Sequence, residues 1–140
     1  MGILEDNACQ QPIGIGVTSD THGFVRPQVV DIFYGADFII HSGDIGGAEV
    51  LSTLETIAPV QAVRGNNDRD SWAEHIPYDH VIEYGAYLFY VFHELEHVDF
   101  DPAAAEISAV IFGHSHRPLA KANNGVLYLN PGSAGPRRFS

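Results

Sequence analysis

Residue types that bind metal ions recur in five short polar clusters along the chain. The seven candidate ligands are Asp20, His22, Asp44, Asn66, His93, His114 and His116. Two aspartates, one asparagine and four histidines form a mixed oxygen and nitrogen donor set, which suits Mn, Fe, Ni, Co or Zn better than Mg or Ca. None of the clusters contains cysteine, which argues against a structural zinc site. Because seven ligands exceed the need of one ion, we expect two divalent ions that share a carboxylate.

Each cluster has an ordinary alternative explanation when it is taken alone. Asp44 could be a turn residue or the N-cap of a helix that begins at Ala48. Gly65-Asn66-Asn67-Asp68 has the composition of a turn, and a single histidine such as His93 is more often a core residue than a ligand. Gly113-His114-Ser115-His116 is the most specific of the five. The conjunction favours a metal site, because every cluster follows a predicted strand and carries suitable ligand types.

The other histidines and the aromatic residues have simpler interpretations. His41 ends a predicted strand close to Asp44, so we expect it to be a buried, hydrogen-bonded neighbour of the ligands. We interpret three further histidines as surface or packing residues: His75, His80 and His97. Trp72 and the aromatic residues from Tyr78 to Tyr90 are interpreted as core or pocket wall.

Apolar strands that alternate with amphipathic helices are predicted to position these clusters. The predicted strands are 13–17, 37–40, 60–63, a hairpin of 81–84 and 87–92, then 109–112 and 126–129; the predicted helices are 27–34, 48–57 and 101–106. The initial strand–helix–strand order implies parallel pairing through right-handed crossovers. We therefore predict a layered α/β sandwich with mixed sheets. Ligands gather at the carboxyl ends of strands in such folds, so the clusters should meet at one edge.

Length and charge limit the classes of function. The 140 residues predict a tail at 1–12 and a single domain at 13–140. Seven basic against 18 acidic residues give a net charge of −11, which disfavours binding of extended nucleic acid. A small phosphate ester could still bind, because bound cations would make the local charge positive. The first residues do not resemble a secretory signal, no apolar run reaches the roughly 20 residues that span a bilayer, and Cys9 is the only cysteine. These features predict a cytoplasmic protein that does not enter membranes.

The ordered motifs resemble those of calcineurin-like metallophosphoesterases. They are Asp20-x-His22, Gly43-Asp44, Gly65-Asn66-x-Asp68, His93 and Gly113-His114-x-His116. Asn130-Pro131-Gly132-Ser133 narrows the resemblance to the small YfcE-like phosphodiesterases, from about Ile13 to the end. The resemblance assigns one ion to Asp20, His22 and His116 and a second ion to Asn66, His93 and His114, with Asp44 as the bridge. It places Asn66, Asp44 and His22 among the catalytic residues.

The resemblance implies a metal-dependent phosphodiesterase that hydrolyses small phosphate esters. A hydroxide between two ions, which we expect to be Mn²⁺ (with Ni²⁺, Fe, Co²⁺ or Zn²⁺ as alternatives), would attack phosphorus in line. Asn67 stands where many relatives have a histidine that protonates the leaving group, so acidic leaving groups should be favoured. Glu94 stands where relatives commonly have glycine, and its effect is open.

Other functions remain open alternatives to a phosphodiesterase. A phosphomonoesterase or a nucleotide pyrophosphatase would use the same site with a different pocket. A non-catalytic scaffold like the retromer subunit is disfavoured, because all seven ligand positions are filled. Relatives usually continue past Asn-Pro-Gly-Ser with more strands, so we expect a fold shortened at its C-terminus whose open sheet edge favours a homo-oligomer.

Overall fold

A computed structural model describes residues 13–94, 101–133 and 137–139 of the chain. The first sheet has the strand order β3-β2-β1-β9. Its strands are β1 (Ile15–Thr18), β2 (Phe38–His41), β3 (Val60–Ala62) and β9 (Arg137–Phe139). Strands β1, β2 and β3 are parallel, as the sequence predicts, whereas β9 pairs antiparallel with β1. Helices α1 (Pro27–Phe33) and α2 (Ala48–Glu55) make the two crossovers.

The second sheet has five strands in the order β4-β5-β6-β8-β7. They are β4 (Asp79–Tyr84), β5 (Tyr87–Phe92), β6 (Ala109–Ile111), β7 (Leu119–Asn123) and β8 (Val126–Asn130). Strands β5, β6 and β8 run parallel at the centre, and an antiparallel strand lies at each edge. Parallel strands present their carboxyl ends at the same edge of each sheet. The mixed sheets and the α/β class therefore agree with the prediction.

Three apolar layers hold the two sheets and the helices together. Val17 and Ile40 of the first sheet pack with Val91 and Ile111 of the second in the central layer. Ile39 points the opposite way, towards the buried faces of α1 and α2. Strand β2 is thus buried on both sides, which explains its uninterrupted apolar sequence. A third layer covers the outer face of the second sheet, where Ile107 packs with residues of β5, β6 and β8.

The structure corrects three details of the predicted elements. The helix predicted over 101–106 is wrong, because these residues form turns, with a single helix-type bond from Ala105 N to the Asp101 carbonyl (3.1 Å), and Glu106 has φ 62°. Strands β7 and β9 were not predicted, nor was a 3₁₀ turn at Ser71–Ala73. The other elements are confirmed with ends that differ by one or two residues. The predicted tail 1–12 and His97 lie outside the described residues. Within the described part of the chain, no helix is long and apolar enough to cross a membrane.

Candidate metal centre

The carboxyl ends of both sheets bring the candidate ligands together. Ligand atoms of Asp20, His22 and His116 lie within 4.8 Å of one another, and so do those of Asp20, Asp44 and His93. Asp20 therefore belongs to both groups. The first group opens to solvent, since the His22 and His116 side chains are 44% and 47% exposed, whereas the second group is buried.

The last two predicted ligands lie beside the second group. His114 makes an edge-to-face contact with the His93 ring, with ring centroids 5.2 Å apart. Asn66 is exposed and lines the same cavity as His93. Asn67 lies next to Asn66, and it donates to the Asp44 carboxylate through its backbone N and its Nδ2 at 3.1 Å each. All seven predicted residues thus lie at or beside one site.

Two buried polar atoms at the centre have no hydrogen-bond partner among the described residues. They are Asp20 Oδ1 and His93 Nε2, which lie 3.8 Å apart. Asp20 Oδ1 also lies 3.3 Å from His116 Nε2, and His93 Nε2 lies 3.3 Å from Asp44 Oδ2. Two ligands that are each about 2.1 Å from a shared ion lie about 3.0–3.4 Å apart at octahedral or tetrahedral angles. The observed spacing and the orphaned atoms fit bound divalent ions.

The surrounding contacts fix which atoms face the centre. His93 Nδ1 donates to the Ser42 carbonyl at 2.8 Å, so the lone pair of Nε2 faces the two carboxylates. Asp20 Oδ2 accepts hydrogen bonds from Ser19 Oγ (2.6 Å) and His114 N (3.2 Å), which leaves Oδ1 for the site. These contacts orient one ring nitrogen and one carboxylate oxygen inwards.

The backbone is also unusual at the ligands. Five of them have positive φ: Asp20 (55°), His22 (50°), Asp44 (55°), His114 (72°) and His116 (62°). Few non-glycine residues adopt this conformation, although Asp and His tolerate it better than most. Residues held in such regions cluster at functional sites, because the surrounding structure must stabilise them. The strain therefore falls on five of the seven predicted ligands.

Two glycines allow the close approach of these loops. Gly43 has φ 108°, and a Cβ there would meet His93 Nδ1 at 2.5 Å. A Cβ at Gly113 would collide with Ser19 Oγ and lie 2.7 Å from Asp20 Oδ2. A side chain at either position would displace a candidate ligand or its hydrogen-bond partner.

Charges and hydrogen bonds shift the pKa values of two facing groups. Burial opposes ionisation of Asp44, but the adjacent His93 imidazole and the hydrogen bonds from Asn67 hold its pKa well below the usual range. Burial also opposes protonation of His93, yet its contacts with Asp44, Ser42 and Asp20 raise its pKa overall. A proton and a divalent cation would thus compete for His93 Nε2.

His41 is a buried, hydrogen-bonded neighbour of the ligands, as the sequence predicts. It is fully buried, and its Nδ1 accepts from Gly43 N at 3.1 Å, so Nε2 carries the proton and donates to Thr21 Oγ1 at 2.9 Å. Burial lowers the pKa of His41 to about 4. The neutral imidazole joins the loop of Asp20 and His22 to the loop of Asp44.

Sequence reasoning gave no role to two further residues. The buried Asp68 carboxylate accepts from the backbone N of Ile45 (3.0 Å), Gly46 (3.0 Å) and Gly65 (2.9 Å), and so ties two ligand loops together. The fully buried Asn130 donates to the Gly113 carbonyl (3.1 Å) and to Ser115 Oγ (3.2 Å) and accepts from Gly132 N (2.9 Å). Both stood in the motifs, but a motif does not reveal which backbone groups a side chain will meet.

Comparison with known proteins gives the family. Residues 13–140 match the calcineurin-like phosphoesterase superfamily domain. A probable metallophosphoesterase of Methanothermobacter thermautotrophicus is 31% identical over 134 residues, covering 85% of this chain and 76% of that protein. A phosphodiesterase of Methanocaldococcus jannaschii is 28% identical over 136 residues, covering 84% of this chain and 82% of that protein.

Solved structures share the fold at lower identity. Vps29 of Entamoeba histolytica, solved in complex with Zn²⁺, superposes with a TM-score of 0.72 and 24% identity over 88% of this chain and 76% of that one. YfcE, a phosphoesterase of E. coli, superposes with a TM-score of 0.64 and 23% identity over 86% of this chain and 80% of that one. The predicted resemblance to the calcineurin-like family is confirmed, and YfcE is among the structures that share the fold.

Proposed function

This chain belongs to the calcineurin-like phosphoesterase superfamily, and on that premise we propose that it is a phosphodiesterase with a dinuclear metal site. The observation that carries the proposal is the pair of orphaned buried atoms, Asp20 Oδ1 and His93 Nε2, at the centre of two overlapping ligand groups. A buried polar atom without a partner is costly, and a cation bound at each of the two atoms would satisfy it. The similarity to a phosphodiesterase of Methanocaldococcus jannaschii supports the diester preference.

The proposed ligands divide between two positions. Asp20, His22 and His116 would hold one ion, Asn66, His93 and His114 would hold the other, and Asp44 would bridge them. When bound, the two ions would lower the pKa of a water molecule and offset the charge of the phosphate oxygens. The mixed oxygen and nitrogen donors favour Mn²⁺, with Ni²⁺, Fe, Co²⁺ or Zn²⁺ as alternatives.

The protein's own residues orient the reacting groups. The two hydrogen bonds from Asn67 hold the Asp44 carboxylate in place, and the exposed first group leaves room for the phosphate of a small ester. Asn66, Asp44 and His22 are the residues that we assign to catalysis. Because both Asn67 donors face Asp44 and an amide is no general acid, the leaving group should depart without a proton from this position. Esters with acidic leaving groups are therefore the expected substrates in vitro.

Metal removal and restoration test the proposal. We expect metal-stripped protein to regain hydrolysis of bis-p-nitrophenyl phosphate when Mn²⁺ is added, with slower turnover of p-nitrophenyl phosphate. His116→Ala and Asn66→Ala should each lose most of this activity, whereas the exposed His75→Ala should not. A preference for the monoester would indicate a phosphomonoesterase instead, and absence of metal-dependent turnover with either ester would refute the enzyme.

The second candidate is a non-catalytic scaffold. The structural similarity to Vps29 supports it, since that match covers 88% of this chain. The seven ligand-type residues at one site favour the enzyme, because a scaffold has no need for orphaned carboxylate and imidazole atoms. A homo-oligomer and a cytoplasmic location stay predictions.

A further inference from the structure

A cavity of about 250 Å³ lies beside the proposed second metal position. His93 and Asn66 form one of its walls, Arg64 and Tyr78 form another, and Tyr90 and Phe92 contribute buried aromatic surface. Ligand pockets for drug-sized molecules start at about 300 Å³, so this cavity has room for one ring-sized group rather than a large molecule. Its position makes it a continuation of the metal centre.

Arg64 has an unusual environment in this cavity. Its guanidinium lies 4.0 Å from the centroid of the Tyr78 ring, and its Nε is buried with no hydrogen-bond partner among the described residues. The backbone N of Arg64 donates to the Pro77 carbonyl at 2.9 Å, which holds the two segments together. A buried guanidinium N–H without an acceptor is costly, so a ligand atom that accepts a hydrogen bond would stabilise it.

The side chains of the cavity indicate which ligand it suits. Asp79 and Glu94 line it together with Arg64, and Asp79 Oδ2 accepts from the Tyr90 hydroxyl at 2.8 Å. A planar ring meets aromatic surface and a guanidinium plane, both of which stack on flat groups. An acceptor atom on that ring could reach the buried Nε.

We propose that this cavity holds a planar aromatic or heterocyclic ring of the substrate, and that Arg64 and Tyr78 select it. The inference rests on the proposed phosphodiesterase function and names its substrate class: phosphodiesters in which the alcohol that stays on phosphorus carries a ring with a hydrogen-bond acceptor. A nucleoside and a substituted phenol share this chemistry. Simple alkyl diesters lack it.

A substrate series with one fixed leaving group tests the inference. Methyl, phenyl and thymidine 5′ esters of p-nitrophenyl phosphate release the same phenolate, so differences in kcat/KM report the retained group. We expect kcat/KM with Mn²⁺ to be at least about fivefold higher for a ring ester than for the methyl ester, the lower end of one stacking interaction. A larger value for thymidine than for phenyl is expected, because only the thymine ring carries an acceptor for Arg64 Nε; an equal or larger value for phenyl would overturn the requirement for an acceptor.

Variants assign the preference to the cavity. Tyr78→Ala and Arg64→Lys should each bring the ratio of ring ester to methyl ester towards one, because lysine keeps the charge but loses the planar fork. The control is Tyr87→Ala, because Tyr87 is an exposed tyrosine at the start of β5. This variant should keep the ratio of the unaltered protein. An unchanged ratio in Arg64→Lys would overturn the role of stacking.

Failure of the inference is distinguishable from failure of the proposed function. Equal hydrolysis of all three esters would refute the ring-binding cavity and leave the phosphodiesterase intact. If no ester is hydrolysed, calorimetry with phenyl methylphosphonate and methyl methylphosphonate still decides, since binding needs no turnover. We expect the phenyl compound to bind at least about fivefold more tightly; equal affinities would overturn the inference.

Discussion

Asp68 should contribute strongly to stability although it is not a proposed ligand. Its carboxylate accepts three backbone hydrogen bonds, from Ile45, Gly46 and Gly65. Each buried N–H that loses its acceptor costs about 1–3 kcal/mol, and those of Ile45 and Gly65 are buried, so Asp68→Ala should lower the free energy of unfolding by at least about 2 kcal/mol. In Asp68→Asn the amide oxygen keeps at most the two bonds of Oδ2, and the amide nitrogen faces the Gly46 N–H, which is partly exposed. The expected loss is then about 1 kcal/mol.

Urea unfolding of the metal-free protein, followed by circular dichroism, measures both losses. Asp70→Asn is the matched control, because Asp70 is exposed and caps the 3₁₀ turn without a side-chain hydrogen bond. It should stay within about 0.5 kcal/mol of the unaltered protein. A comparably small effect of Asp68→Asn, or equal effects of the Asn and Ala variants, would refute the reasoning about the three N–H groups.

Three further predictions concern the supports of the site. Below pH 6.5 the unfolded chain gains a proton on His41 that the folded state accepts only near pH 4. The free energy of unfolding should therefore fall by about 3 kcal/mol between pH 6.5 and pH 4. In His41→Gln, urea unfolding should show a weaker dependence of that free energy on pH. Gly43→Ala should lose about 1–3 kcal/mol more than Gly125→Ala, which also has positive φ but open space, because only the former meets His93; equal thermal shifts would contradict this. Asn130→Ala should cost at least about 2 kcal/mol and reduce kcat for bis-p-nitrophenyl phosphate, since two buried backbone groups, the Gly113 carbonyl and the Gly132 N–H, lose their hydrogen bonds; unchanged kcat would argue against its role in positioning.

The convergence of the ligand clusters was predictable because it follows from strand direction. Apolar runs separated by amphipathic helices force parallel pairing, and parallel strands end at one edge. Asp20 and Asp44 therefore had to meet, whatever the details of their loops. His93 and His114 also follow two neighbouring parallel strands, β5 and β6, although the helix predicted at 101–106 between them does not form.

Other features of the fold and of the site depend on contacts that cannot be inferred from the sequence. Strand β7 is exposed along its whole length, so it lacks the buried alternation that marks a strand, although Asn124-Gly125 was a turn signal for its hairpin with β8. The helix expected at 101–106 has a suitable N-cap, since Asp101 Oδ1 accepts from Ala103 N, but the backbone leaves the helical conformation at Glu106, where φ is 62°. The bonds of Asp68 join backbone groups more than 20 residues apart, and sequence patterns carry no information about such donors.

The number of ions per chain tests the central claim most directly. Metal-stripped protein titrated with Mn²⁺ and followed by electron paramagnetic resonance should bind two ions per chain and develop the spectrum of an exchange-coupled pair. Asp44→Ala should lose the coupled spectrum, because Asp44 is the proposed bridge. Binding of a single ion, or of two ions without coupling, would contradict the dinuclear site.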